Sequence, residues 1–468
     1  MDNGKKNRAL IVGTITYAIG NFGTKILSFL IVPLYTYYIS PSDLGDYDLV
    51  ITTVSLLSPL ITMKISDATY RWIINNEDNE VTYISATYKL LIRNCIVGAL
   101  MILGINYFIP IKYCYYFVPI LIGDRILECL QKLLRGLKKQ KLFAISGILN
   151  TFLMVSLNLI KVCWLGQGVT ALLESNIISL YATIVFILIT EKKLRKVELA
   201  RNYRSHQKEM LQYSIPLVPS ALSWWAMSAS DRYIIRWIMG SAANGIFSVA
   251  HKFPSILQTF FSLFNNAWTD MALVEVEKGE QGEAYTKKIF EQLYRASFGM
   301  AFVLIPLTKL VMKVILSSSY KEAAIYVGFL YLGTVFQGLS SFISIGYLKG
   351  KHTAGAAKTS LYGASINLLI DILCMRYIGL YAAAISTFMG FFIMWITRMR
   401  DIREVFPIKI NRLKFSIYLA IGIIISIVST RTNNIEDIIT IIVASIFFAI
   451  DNRVFIVKII SKIRKKRV

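Results

Sequence analysis

The chain has 468 residues, of which 55% are hydrophobic and 17% are charged. Because an average soluble domain carries about a quarter charged residues, this composition excludes an ordinary soluble globular protein and predicts a polytopic membrane protein. The net charge of +23 does not indicate a nucleic-acid partner, since the bases cluster in short segments between apolar stretches. Cytoplasmic loops carry Lys and Arg in this way, beside anionic membrane lipids.

Apolar stretches long enough to span a bilayer, about 20 residues each, recur along the sequence. We predict fourteen transmembrane helices, at 10–36, 44–65, 88–109, 113–134, 142–165, 169–190, 212–237, 245–267, 293–316, 323–348, 356–377, 379–397, 414–430 and 437–455. Basic connections at 131–141, 191–208 and 398–414 alternate with connections almost free of bases, such as 40–48 and 165–170. By the positive-inside rule, both termini are predicted to be cytoplasmic.

A short internal repeat relates residues 38–50 to residues 238–250. At an offset of 200 residues, similar residues coincide: Gly45 with Gly245, Tyr47 with Phe247 and Leu49 with Val249. Six predicted spans separate the two copies, so both have the same orientation. Two six-span halves in parallel repeat, with a site at their interface, are a recurring transporter plan.

The predicted fold is therefore all-α, with two six-helix lobes in parallel pseudo-repeat around a central cavity and two further C-terminal helices. The predicted domains are an N-terminal lobe at 1–195, a cytoplasmic linker at 196–211, a C-terminal lobe at 212–400, and two additional helices with a basic cytoplasmic tail at 401–468. The five cysteines have no paired spacing, which favours buried thiols over disulfides or a metal site.

Two segments carry a resemblance to a known family. The segment "GNFGTKILSFLIVPLYTYYISPSDLGDYDLV" (20–50) has a base in the first span, then PLYT, a short turn and Gly-x-Tyr. The segment "SDRYIIRWIMGSAANGIFSVAHKFPSIL" (230–257) and NNAW (265–268) have the matching pattern of the seventh and eighth spans. These segments resemble the Wzx-type oligosaccharide flippases, whose superfamily includes multidrug exporters and the lipid II flippase.

This resemblance implies a function in assembling a surface polysaccharide, such as a capsule, O-antigen, exopolysaccharide or teichoic acid. The expected cargo is an undecaprenyl-pyrophosphate-linked oligosaccharide, moved from the inner to the outer leaflet of the bacterial cytoplasmic membrane by alternating access. The expected partners are this lipid-linked oligosaccharide, membrane lipids, a polymerase and other polysaccharide-assembly proteins, without nucleic acid.

Ionisable residues within the predicted spans mark candidate sites, because each costs about 2.5–3.5 kcal/mol at the bilayer centre and normally faces a cavity. Thr14, Asn21, Lys25 and Ser28 form one polar stripe along span one, which favours a cavity over an interfacial position. Lys and Arg donate charge-assisted hydrogen bonds to pyrophosphate oxygens. The predicted cavity and substrate residues are Asn21, Lys25, Arg71, Arg125, Asp231, Arg232 and Lys252.

Several of these residues have a second interpretation. Asp231 and Arg232 are equally compatible with a helix-packing ion pair, Arg71 with ordinary positive-inside placement, and Arg125 with an internal pair within span four. Candidate proton or sodium sites are Glu174, Asp231 and Asp371. No other cofactor and no metal are expected.

The sequence favours a transporter over an enzyme. The three histidines are scattered, no connection has room for a catalytic domain, and a GxxxxGK[ST] motif is absent. A membrane-embedded polymerase or transferase is therefore the less favoured alternative, and direct drive by ATP is excluded for this chain. A multidrug cation antiporter of the same superfamily is a second alternative, but it calls for an acidic cavity, whereas the intramembrane charges lean basic.

Overall fold

The computed structural model describes residues 23–25, 27–75, 80–195, 203–275, 280–349, 353–403 and 410–453. Every regular element in these ranges is helical, which confirms the all-α prediction. The chain divides into two compact units, Met1–Trp225 and Ala226–Val468. Among the described helices, eight are long and apolar enough to cross a membrane; the total of fourteen spans stays a prediction, as do the proposed lobe boundaries.

The first unit is built around one central helix, α5. Its helices are α1 (Val32–Tyr38), α2 (Pro41–Thr62), α3 (Ile65–Asn75), α4 (Glu80–Phe108), α5 (Cys114–Gly136), α6 (Gln140–Asn158), α7 (Val169–Thr190) and α8 (Tyr203–Ser214). Helix α5 packs against α2, α3, α4, α6 and α7. Met63 and Lys64 adopt left-handed backbone, with φ of 47° and 55°, so the chain turns from α2 into α3 within two residues and brings the start of α3 beside α5.

The chain passes into the second unit through α9 (Val218–Ala229), and the remaining helices follow in order. These are α10 (Asp231–Ile238), α11 (Ser241–Lys252), α12 (Pro254–Glu275), α13 (Glu280–Ile315), α14 (Val327–Ile343), α15 (Ile345–Lys349), α16 (Thr353–Ile378), α17 (Leu380–Asp401), α18 (Arg412–Val428) and α19 (Asn434–Asp451). Helix α17 packs along α14 and α16. A Cβ atom on Gly363 of α16 would lie only 2.7 Å from the carbonyl oxygen of Gly390 on α17, so these backbones approach closely, as small residues allow.

The last helix, α19, is attached to α13 by an ion pair at each of its own two ends. Near the end of α13, the Lys309 ammonium lies 3.0 Å from a carboxylate oxygen of Asp437 on α19. Nearer its start, the Arg295 guanidinium lies 2.6 Å from the carboxylate of Asp451. All four side chains belong to the second unit. Because Asp437 and Asp451 lie at opposite ends of α19, the two ion pairs hold the whole length of α19 against α13.

The predicted span at 212–237 is not one continuous helix. A 3₁₀ turn at Ile215–Leu217 separates α8 from α9, where Pro216 lacks a backbone donor. A second interruption at Ser230 separates α9 from α10. Asp231 therefore lies at the first position of α10, where the partial positive charge of a helix N-terminus stabilises a carboxylate.

Candidate functional site

Six charged side chains of alternating sign form a continuous network in the first unit, which we call the charge ladder. From α5, Arg125 donates hydrogen bonds to Asp124 and Glu128 and to the Ser58 hydroxyl on α2. Lys132 continues the network, lying 2.9 Å from Glu128 and 2.6 Å from Asp67 on α3. Lys64, at the turn before α3, closes it at 2.8 Å from Asp67.

The charge ladder is electrically balanced, because its members are three cations and three carboxylates: Lys64, Arg125 and Lys132 with Asp67, Asp124 and Glu128. Burial alone would raise the pKa of Asp67, but the ammonium groups of Lys132 and Lys64 outweigh burial and hold that pKa below its usual range. The buried guanidinium of Arg125, which the sequence nominates as a cavity residue, is thus neutralised by its neighbours. Its contact with a substrate stays a prediction.

The other cations nominated in the first unit lie outside the charge ladder. Lys25 is exposed and forms no ion pair with a described residue. Arg71 is also exposed and lies over the ring of Tyr213, 4.6 Å from its centroid, in a cation–π arrangement. Asn21, which was predicted to share the polar stripe of Lys25, lies outside the described residues.

Glu174, one of the nominated coupling residues, is engaged in an ion pair. Its carboxylate accepts a hydrogen bond from Lys161, which lies on the π-helical turn Leu159–Trp164 that extends α6. The Tyr116 hydroxyl donates to the same carboxylate at 3.4 Å. Glu174 thus already has a cationic partner and a hydroxyl donor among the described residues.

In the second unit, Asp231 and Arg232 form a buried ion pair, as one of the two interpretations of the sequence predicted. One carboxylate oxygen of Asp231, Oδ1, accepts hydrogen bonds from the Arg232 guanidinium at 2.6 Å and from the Arg232 backbone N–H at 2.9 Å. The other oxygen, Oδ2, is buried and accepts no hydrogen bond from the described residues. The guanidinium also lies over the Phe247 ring, 5.6 Å from its centroid.

Asp371 lies on α16 close enough to Asp231 and Arg232 for the three charges to interact. It is fully buried, at 0% exposure. Neither of its oxygens accepts a hydrogen bond of normal geometry from the described residues, although the Ser386 hydroxyl on α17 is nearby. One turn earlier on α16, the Asn367 amide lies 3.3 Å from the Ser230 hydroxyl and 3.1 Å from the Ser386 hydroxyl.

We call the group Asp231, Arg232, Asn367 and Asp371 the acidic cluster. When both carboxylates are ionised, their charge exceeds that of the single guanidinium by one, in a buried place. An unpaired buried charge is costly unless it is neutralised or coordinated. Carboxylate, amide and hydroxyl oxygens are ligands for hard cations, and a carboxyl group can also take up a proton. The arrangement is therefore chemically suited to bind H⁺ or a small cation.

Two residues near this site were not predicted from the sequence. Asn367 and Ser386 were not nominated, although Asn367 stands four residues before Asp371 and thus on the same helical face. Lys252, which was predicted as a cavity and substrate residue, is half-buried at the end of α11, and its contact with a substrate stays a prediction. Among the described residues, no group of three or more His, Cys, Asp or Glu is arranged to hold a metal ion.

Comparison with known sequences gives a family match over more than half of the chain. A family model described as "Polysaccharide biosynthesis protein" matches residues 10–269. An uncharacterized membrane protein of Methanocaldococcus jannaschii is 30% identical over 116 residues. That stretch covers 24% of this chain and 22% of the archaeal protein, so the chain spans only about a fifth of that relative.

Comparison with solved structures extends over nearly the whole chain. The lipid II flippase MurJ in an inward closed conformation superposes with a TM-score of 0.66 at 15% identity, covering 95% of this chain and 100% of that one. A multidrug resistance MATE family transporter of the MOP superfamily superposes in its inward-facing conformation with a TM-score of 0.63 at 14% identity, covering 86% and 99%. Its outward-facing conformation gives 0.60 at 16% identity, covering 88% and 96%. These likenesses establish the fold as that of MurJ and MATE transporters.

Proposed function

The chain belongs to the polysaccharide biosynthesis protein family, that of the Wzx-like flippases, and from this we propose that it flips a lipid-linked oligosaccharide across a bacterial cytoplasmic membrane. The cargo is an undecaprenyl-pyrophosphate-linked repeat unit for a surface polysaccharide. The family match over residues 10–269 carries this proposal, and the MurJ-like fold supports it. The protein acts as a transporter and not as an enzyme.

The distribution of charge in the first unit supports an anionic cargo. Its carboxylates at Asp67, Asp124, Glu128 and Glu174 are engaged by cations, whereas Lys25 is exposed without an ion pair to a described residue. A pyrophosphate brings negative charge that hydrocarbon does not solvate, and an ammonium group offers it three hydrogen-bond donors. Lys25 is therefore the residue that we assign to the pyrophosphate.

The acidic cluster of the second unit supports coupling of transport to a cation. Asp231 and Asp371 together exceed the charge of Arg232 by one, and binding of H⁺ or Na⁺ neutralises that excess. Glu174 is the weaker candidate, because Lys161 already neutralises it. In alternating access, a bound cation shifts the protein toward the conformation that binds the cation more tightly.

The first experiment measures export of surface polysaccharide by a Lys25→Ala variant in cells that lack the native gene. We expect loss of export at normal protein abundance, with lipid-linked units accumulating in the inner leaflet. The Lys25→Arg variant keeps a cation at this position and should retain at least part of the export that Lys25→Ala loses. Lys288→Ala removes an exposed lysine of α13 in the second unit and serves as the matched control, with export unchanged.

Full export by Lys25→Ala would contradict the assignment of Lys25. A multidrug cation antiporter is the alternative that the MATE-like fold keeps open. It predicts that cells without the gene become sensitive to cationic drugs and still export polysaccharide. The opposite pattern, loss of polysaccharide with unchanged drug resistance, is the outcome that the flippase proposal requires.

A further inference from the structure

A basic cavity of about 810 Å³ lies in the first unit between α8 and the third and fourth turns of α4. Its wall includes three cationic side chains, Arg93, Arg204 and Lys208. Apolar side chains complete it, among them Leu90, Leu211 and Ile215. Neither the charge ladder nor Lys25 contributes to this lining, so the cavity is separate from the groups assigned to the cargo and to coupling.

Helix α8 is fixed against the first unit by specific contacts, so the cavity is a built feature of the fold. The Gln207 amide donates to the Ala86 carbonyl of α4 at 2.7 Å, and His206 packs edge-to-face on Tyr83, with centroids 5.0 Å apart. Met210, on α8, is completely buried. These contacts hold the inner face of α8 against α4, and they leave Arg204 and Lys208 exposed one turn apart.

Among the residues that the structure describes, no acid balances the cations of the cavity. No Asp or Glu is among the described residues that line it. Arg204 and Lys208 form no ion pair with a described residue. Among described residues, the Arg93 guanidinium donates hydrogen bonds only to the neutral Asn94 side-chain oxygen, at 3.3 Å. The nearby Glu209 carboxylate instead accepts a hydrogen bond from the Trp72 indole at 3.1 Å. Three unbalanced cations around one cavity repel one another and attract a bound anion.

The surroundings of the cavity indicate that this anion belongs to a lipid. Val97 and Leu100 follow Arg93 on one face of α4 at helical spacing, and both are exposed. Helix α4 is one of the candidate membrane spans, and the positive-inside rule predicts that α8 lies at the cytoplasmic surface. A basic pocket at that depth, continued by an apolar surface along the span, has the form of a phospholipid site.

We propose that this cavity binds the phosphate group of an anionic membrane phospholipid, held by Arg93, Arg204 and Lys208, with the acyl chains along the exposed face of α4. Guanidinium groups bind phosphate oxygens in pairs, and an ammonium group adds a third contact. The headgroup of the bound lipid would connect the two helices, because it would contact Arg93 on α4 and Arg204 and Lys208 on α8. It is a constitutive partner of the first unit, distinct from the transported cargo.

The test is native mass spectrometry of the detergent-solubilised full chain, titrated with phosphatidylglycerol or with zwitterionic phosphatidylcholine. Wild type should retain phosphatidylglycerol in preference to phosphatidylcholine. The double variant Arg204→Gln/Lys208→Gln should bind phosphatidylglycerol about 25-fold more weakly, since each basic residue near a membrane surface contributes a factor of about five. The control Lys288→Gln/Arg400→Gln removes two exposed cations of the second unit and should bind as wild type does.

Equal retention of phosphatidylglycerol by wild type and the Arg204→Gln/Lys208→Gln variant overturns the proposal. So does a loss of equal size in the control, because that would show a response to total charge only. Arg204→Lys/Lys208→Arg preserves both cations and should retain binding, which separates loss of the site from misfolding. Undecaprenyl pyrophosphate is added as a competitor: displacement of phosphatidylglycerol at equimolar concentration would make the cavity a cargo site and overturn the phospholipid assignment.

This binding readout does not depend on transport. If Lys25→Ala exports normally, the proposed role of Lys25 fails while the phospholipid site stands. If the lipid titration shows no preference, the flippase proposal is untouched.

Discussion

The charge ladder of the first unit and the acidic cluster of the second unit both place ionised side chains inside a helical bundle, but they balance those charges differently. The ladder pairs three cations with three carboxylates in one continuous network. The cluster sets two carboxylates against one guanidinium. It also leaves both oxygens of Asp371 and one of Asp231 without a hydrogen bond from the described residues.

This difference separates charges that hold helices together from charges that we propose bind H⁺ or a small cation. In a balanced network, removing one member exposes its partner to an unfavourable environment, so the fold is weakened. In an unbalanced cluster, removing the excess charge relieves the fold and takes away the ability to bind a cation. Substitutions in the two regions should therefore act on different properties, stability in the ladder and transport in the cluster.

The largest effect is expected for Asp371→Asn, which removes the excess negative charge of the cluster and keeps its shape. We expect polysaccharide export to fall to the background of cells without the gene, while thermal stability in detergent is unchanged or slightly raised. Export is measured by surface polysaccharide staining and stability by a melting curve of the purified protein. Normal export by this variant would remove Asp371 from the coupling mechanism.

The next effect is expected for Arg125→Met, which leaves Asp124 and Glu128 without their shared cation. Loss of one partner of a fully buried pair costs about 3–5 kcal/mol. The carboxylates here are about one-third exposed, so we expect about 2 kcal/mol. The measurement is the shift in melting temperature and in cellular abundance. A triple variant that also carries Asp124→Asn and Glu128→Gln should recover much of that stability, and its failure to do so would show that Arg125 acts through packing.

A smaller effect with a defined pH dependence is expected for Asp67→Asn. Because its folded-state pKa is held below the usual value, Asp67 stabilises the fold at every pH above the unfolded value of about 3.9. That contribution is lost only as the pH falls through the folded-state pKa. The stability gap between wild type and Asp67→Asn, about 1 kcal/mol, should be constant from pH 8 to about pH 5 and then narrow. A gap that already closes between pH 8 and 6 would show that another group controls it.

The smallest effect is expected for Glu174→Gln, which removes the partner of Lys161. Both side chains are partly exposed, so the loss in stability should be about 0.5 kcal/mol and export should be nearly normal. Export is compared with that of Asp371→Asn at matched abundance. A loss of export as large as that of Asp371→Asn would make Glu174 a second coupling residue.

The helical architecture followed from the sequence because apolar stretches of spanning length leave the backbone few alternatives in a bilayer. The pairing of charges within one helix was also accessible, since Arg125 and Glu128 stand three residues apart. Contacts between distant segments could not be predicted from the sequence. Lys132 meets Asp67 across 65 positions, and no local pattern in either segment specifies that partner.

The acidic cluster also depends on a contact between distant segments, and one of its residues could have been predicted from the sequence but was not. Asp231 and Asp371 were each nominated as costly intramembrane charges, but only the packing of α10 on α16 brings them together. Asn367 could have been added from the sequence, because it lies one helical turn from Asp371. The break at Ser230 places Asp231 at the start of a helix. The sequence did not predict this break, because the residues around it are compatible with a continuous helix.

The excess charge of the acidic cluster has a consequence for energetics in a living cell. The cluster is electrically neutral with one proton or sodium ion bound and carries one negative charge without it, so its two states respond differently to voltage. A unit charge that crosses the whole membrane field exchanges about 2.3 kcal/mol per 100 mV. If the cluster moves through any part of that field during the cycle, the resting potential of the cell accelerates one half of the cycle and slows the other. A charge imbalance of this kind would make the rate of the proposed transport cycle depend on the membrane potential.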